Sequence, residues 1–80
     1  MRINVLLFAS YADALGRPSV ELELPDDATV ADLVRHLRET PGAARLPARP
    51  LVALDQAYAR PEQRIAGATE IAVIPPVAGG

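Results

Sequence analysis

Neither cysteine nor lysine occurs in this 80-residue chain, and each absence removes a class of chemistry. Without cysteine there is no disulfide framework, no thiolate metal site and no catalytic thiol. Without lysine, all eight basic residues are arginine, whose guanidinium stays charged and is no acceptor for acyl groups. The amine of Met1 is then the only one in the chain that could attack an activated carbonyl. Aromatic side chains number three (Phe8, Tyr11 and Tyr58), and the net charge is −2. Nucleic-acid backbones call for a basic stripe and single strands for stacking platforms. Neither is visible, so no nucleic-acid partner is expected. The apolar run over residues 3–9, broken by Asn4, is too short to span a membrane and lacks a signal-peptide cleavage pattern. A soluble cytoplasmic protein is expected, with no membrane partner.

Eighty residues suffice for one domain. Half the residues are apolar, but 15 are alanine, which leaves 25 larger apolar side chains for one small core. Residues 3–9 read as a buried central strand. Ser10 followed three residues later by Asp13 has the form of a capping box, and Gly16 is a natural helix stop, so a short helix is expected between them. Residues 20–24 alternate strictly, with Glu21 and Glu23 toward water. Thr29 and Asp32 form a second capping box. Val30, Leu33, Val34 and Leu37 then fall at i, i+3, i+4 and i+7, which predicts the main helix, running to about Glu39.

Residues 40–50, with three prolines and a glycine, predict an irregular connection. Residues 51–54 read as a strand, Asp55-Gln56 as its turn, and residues 57–59 as a short strand pairing back. Residues 61–67 form a loop that sets Ile65 in the core. Residues 70–74 are the last strand, stopped by Pro75. The order suggests an α+β fold in which one mixed sheet grips one main helix, with a body over residues 1–74 and a tail over residues 75–80.

That tail is Pro75-Pro76-Val77-Ala78-Gly79-Gly80. The prolines lack ladder donors and favour extended polyproline geometry. The glycines carry no Cβ and accept backbone angles closed to other residues. Six residues at about 3.3 Å each reach nearly 20 Å, enough to thread a narrow channel on another protein. The chain offers no catalytic constellation of its own. His36 is a lone helical histidine, Asp26-Asp27 suit a turn before a helix N-terminus, and no phosphate-cradling glycine loop or nucleophile elbow is present. No metal site is expected.

The element order, the helix start Ala28-Thr29-Val30-Ala31-Asp32-Leu33 and the closing Ile74-Pro75-Pro76-Val77-Ala78-Gly79-Gly80 resemble the small subunit of molybdopterin synthase. That family, commonly called MoaD, has the ubiquitin-like β-grasp fold. Leu6-Leu7-Phe8-Ala9 and Leu51-Val52-Ala53-Leu54-Asp55-Gln56 look like its opening and its central strand and turn. Two positions depart from its pattern: Asp55 stands where asparagine is usual, and Gly67-Ala68-Thr69-Glu70 lacks the usual acid after glycine.

The resemblance implies a sulfur carrier whose Gly80 carboxylate is adenylated and converted to a thiocarboxylate. An ATP-using, ubiquitin-activating-type adenylyltransferase would load it, so this chain itself binds no cofactor. The sulfur would ride on Gly80, consistent with the lack of cysteine. A large synthase subunit would receive Pro75, Pro76, Val77, Ala78 and Gly79 in its pocket, in an assembly of two small and two large subunits. Phe8, Tyr58 and Ile74 are the expected contacts to that partner. A carrier for thiamin, cysteine or tungsten-cofactor synthesis remains an alternative, as does a ubiquitin-like modifier or docking module.

Overall fold

A computed structural model describes residues 1–40 and 50–75. The expected connection over 41–49 and the tail residues 76–80 lie outside the described residues. The elements are β1 (Arg2–Leu7), α1 (Ser10–Leu15), β2 (Ser19–Glu23), α2 (Val30–Arg38), β3 (Leu51–Leu54), β4 (Ala57–Tyr58) and β5 (Ile71–Ile74). The five strands form one sheet in the order β2-β1-β5-β3-β4. β1 runs parallel to β5, and the other neighbours are antiparallel. This is the expected mixed sheet with one main helix.

The helix start is where sequence and structure agree most closely. The Thr29 hydroxyl accepts from Asp32 N at 3.3 Å, and Thr29 N donates to the Asp32 carboxylate at 3.0 Å. Val30 N donates to Gln63 O at 2.8 Å and Ala31 N to Pro61 O at 2.9 Å. Every N–H left without a helical partner in this first turn is therefore satisfied. The same lacing holds the 61–65 loop in place: Ile65 N donates to Ala28 O, and the Ile65 side chain is buried. Val30, Leu33 and Leu37 of α2 pack with Val5, Leu7, Val52, Leu54, Ile71 and Val73 of the sheet into one core.

The first short helix begins differently from the expectation. Ala9, not Ser10, is the capping residue, with φ 51°, ψ −125° and no side-chain hydrogen bond. Ser10 has already entered the helix, so its hydroxyl does not cap. The reason lies one residue earlier: Phe8 N donates to Val73 O at 3.3 Å, which keeps the chain on the sheet through Phe8. The reversal into the helix must then be made at Ala9, in a conformation that glycine enters freely and alanine does not. Gly16 ends the helix in the left-handed region, as expected.

Candidate functional site: an apolar sheet face beside Pro75

Side-chain alternation divides the sheet into two faces. Val5, Leu7, Val52, Leu54, Ile71 and Val73 take the helix side. Their neighbours in sequence must take the other. The register aligns Leu6 with Ala72, Ala72 with Ala53, and Ala53 with Tyr58, so these four make a row across β1, β5, β3 and β4. The next row pairs Ile74 with Leu51 and continues to Phe8 beyond the end of β1.

Ala53 and Ala72 are 7% and 3% exposed, yet neither belongs to the core beneath α2. Phe8 and Tyr58, at 47% and 68% exposed, are the large apolar side chains most open to solvent among the described residues. Ile74 is half-buried on the same face, and Pro75 follows it directly. The three expected partner contacts thus share one face, next to the point where the tail begins. Residues 76–80 lie outside the described residues, so the geometry at Gly80 is not seen.

Sequence reasoning missed Leu6, Leu51, Ala53 and Ala72 as members of this face. β3 and β5 are apolar at every position, so alternation carries no signal of which side Leu51, Ala53 and Ala72 take, whereas Asn4 and Arg2, two and four residues before Leu6 in β1, mark its face in the sequence. Beyond the apolar rows the face turns polar, where a shallow cleft of about 420 Å³ is lined by Arg2, Asn4, Thr69 and Glu70 among others. At the far end of β3, Asp55 Oδ1 accepts from Thr69 N and Glu70 N, each at 2.8 Å. The two departures from the family pattern therefore meet in space, and the carboxylate at one fixes the backbone at the other.

Electrostatics elsewhere are structural. The Asp32 carboxyl is held below its ordinary range, first by the hydrogen bond from Thr29 N and further by Arg35 at 3.0 Å. Burial raises the Tyr11 hydroxyl pKa, an effect partly offset by the Arg38 charge. His36 lies half-buried in the last turns of α2. Among the described residues, no three His, Asp or Glu side chains gather as a metal site. None of these helices is long and apolar enough to cross a membrane.

One mixed sheet wrapped on one main helix, with an open apolar face beside Pro75, defines a ubiquitin-like β-grasp protein. More narrowly, the chain belongs to the ThiS family, whose model matches residues 5–80. It is 35% identical over 83 residues to the molybdopterin synthase sulfur carrier subunit of Dictyostelium discoideum, covering 99% of this chain and 96% of that protein. Among solved structures it is similar to the small archaeal modifier protein 1 of H. volcanii, at 26% identity and a TM-score of 0.79, over 95% of this chain and 98% of that one. It also shares its fold with a chain in the complex of subunits 1 and 2 of the molybdopterin-converting factor from Helicobacter pylori. There the identity is 18% and the TM-score 0.67, with both chains fully covered.

Proposed function

We propose that this chain is the sulfur-carrier subunit of a molybdopterin synthase. The observation that carries the reading is the end-to-end match to proteins bearing that name, which takes in the Gly79-Gly80 end. A carboxylate is a poor electrophile. Adenylation of Gly80 supplies a good leaving group, and an unhindered glycyl carbonyl then accepts sulfur. The resulting thiocarboxylate is a stronger nucleophile than the carboxylate and donates sulfur for dithiolene formation on a pterin precursor. ATP belongs to an adenylyltransferase of the ubiquitin-activating type.

In this reading the large subunit holds the catalytic pocket, and two small and two large subunits assemble. The face built by Leu6, Phe8, Leu51, Tyr58 and Ile74 docks on the large subunit and aims Pro75 at its channel. Exposed aromatic anchors surrounded by smaller apolar groups suit such a contact. The complex of two converting-factor subunits containing a chain of this fold supports that picture.

The reading is tested by adding the sulfurated chain and a large subunit to a pterin precursor. Dithiolene product is expected, and chain lacking Gly79 and Gly80 is expected to give none. Product formed equally well by the shortened chain contradicts the proposal. The likeness to a small archaeal modifier favours a second reading, in which Gly80 is joined to amines of other proteins. Conjugates larger than the free chain, formed with ATP and an activating enzyme, would distinguish it.

A further inference from the structure

A polar row borders the apolar rows of the proposed docking face, and the strand register draws it across the sheet. Glu21 stands opposite Asn4. Val5 aligns with Ile71, which brings Asn4 level with Glu70. Val5 and Ile71 face the core, so Asn4 and Glu70 before them take the second face. Glu70 in turn meets Asp55, whose N–H donates to Glu70 O. We infer that the cleft beside Glu70 receives a cationic side chain, arginine or lysine, of the large subunit, and that Glu21 and Glu70 orient the docked pair. The inference rests on the proposed docking of this face on a large subunit.

The cleft has a topological cause. β1 starts at Arg2, but its pairing with β5 covers only Val5, Leu6 and Leu7. Beside Arg2, Ile3 and Asn4 the sheet has a gap, and the cleft of about 420 Å³ lies there. Leu7 N donates to Pro18 O and Leu24 N to Met1 O, so odd-numbered residues of β1 turn their backbone groups to β2. The carbonyl of Arg2 is thereby turned to the gap. The Asn4 amide, the Thr69 hydroxyl and the Glu70 carboxylate add further acceptor oxygens to the walls. Guanidinium and ammonium groups carry donors only, and such walls suit them.

Charge balance on this face sets the sign of the partner. Arg2 lies 3.7 Å from Glu23, so those two charges offset each other. The Asp55 carboxylate is taken up by Thr69 N and Glu70 N. Glu21 and Glu70 stand in no ion pair among the described residues. They flank Asn4 from the two neighbouring strands, about 10 Å apart at the usual strand spacing. Two unpaired carboxylates at the rim of an apolar face complement a positive surface.

The position of this row gives the face a direction. Successive rows lie two residues apart along the strands, about 7 Å. On β1 the order is Asn4, Leu6, Phe8, and on β5 it is Glu70, Ala72, Ile74. The acidic row and Pro75 thus lie on opposite sides of the row of Leu6, Ala72, Ala53 and Tyr58. A partner that grips only the apolar row could settle either way round. Cations matched to the acidic row allow one orientation, with Pro75 at the far end. Such attraction acts during approach, so it is read in the association rate and its salt dependence.

The test follows association of the full chain with the large subunit by stopped flow, at low and at high salt. One variant combines Glu21→Gln with Glu70→Gln. A control combines Glu39→Gln, at the end of α2, with Glu62→Gln, in the 61–65 loop, and changes the net charge equally. The first variant should associate about tenfold more slowly at low salt and show a flatter salt dependence. Its melting temperature should match the parent, and the control should associate like the parent. Unchanged association in the first variant overturns the inference, and so does an equal loss in the control, which would reduce the effect to net charge. A parent chain that does not bind the large subunit contradicts the proposed function, and the inference falls with it. A parent that binds while the first variant is unaffected overturns the inference alone.

Discussion

Asp55 and Glu70 hold each other twice. Asp55 N donates to Glu70 O at 2.8 Å, and Glu70 N donates back to the Asp55 carboxylate at 2.8 Å. With Thr69 N as a second donor, the carboxylate binds the lead-in to β5 to the turn after β3. This joint sets where β5 starts, and so where Ile74 and Pro75 fall at its other end.

The first prediction concerns that joint. Asp55→Ala removes the acceptor from two donors and leaves an alanine at φ 51°, so a loss of about 2 kcal/mol is expected. Asp55→Asn keeps an oxygen in place and tolerates this backbone region, and should cost less than half as much. Urea unfolding of the three proteins checks the order. Equal losses for both variants would mean the acceptor oxygen does not matter.

Gln56 follows at φ 72°, which makes both central residues of this two-residue hairpin left-handed. That is the turn type in which Asp-Gly is favoured. Gln56→Gly should raise stability by about 0.5 kcal/mol, relief of strain outweighing the added freedom of the unfolded chain. A lower melting temperature would show that the side chain contributes something the turn needs.

At the start of α2, Thr29→Ala should cost about 1 kcal/mol, near 5 °C in melting temperature for a domain of this size. The Asp32 carboxyl titrates lower in the folded state than in the unfolded one. Its contribution is therefore complete above the unfolded value of about 3.9 and is lost as pH falls through the folded value. The melting-temperature gap between the parent and Asp32→Asn should be flat near neutrality and close in acid. A gap that widens in acid contradicts the assignment.

How much of this was legible beforehand depended on whether a local signal had tertiary competition. The Thr29–Asp32 box and the apolar spacing of α2 were readable, because cap, propensity and burial agree there. The Ser10–Asp13 box has the same form and fails, because pairing of Phe8 with Val73 moves the reversal to Ala9. The final strand starts at Ile71 and not at residue 70, since Glu70 N is engaged by Asp55, 15 residues away. Of the site, Phe8, Tyr58 and Ile74 follow from the family resemblance, which implies an apolar face beside the tail. Ala53 and Ala72 were hidden, because a small residue in an apolar strand carries no sign of which face it takes.

Tyr11 offers a separate check on the core. Its ring is fully buried, and its hydroxyl has no hydrogen-bond partner among the described residues. Tyr11→Phe removes a desolvated polar group without removing a bond, so it should be neutral or stabilising by up to about 1 kcal/mol. A loss above that size would reveal a partner, such as a buried water, for this oxygen.

On the proposed docking face, Tyr58→Asp and Phe8→Asp each place a charge on an exposed apolar position. The fold should survive both, with melting temperatures close to the parent. Affinity for the large subunit should fall tenfold or more, about 1.4 kcal/mol, for at least Tyr58→Asp. Titration calorimetry with unchanged affinity for both variants would place the interface elsewhere.

The most direct measurement is the intact mass of the chain after incubation with ATP, an activating enzyme and a sulfur source. A gain equal to replacing one oxygen by sulfur is expected, and it should vanish when Gly80 is removed. No gain, with an enzyme proven active on another carrier, would contradict the sulfur-carrier account and leave the Gly79-Gly80 end as a docking or conjugating peptide.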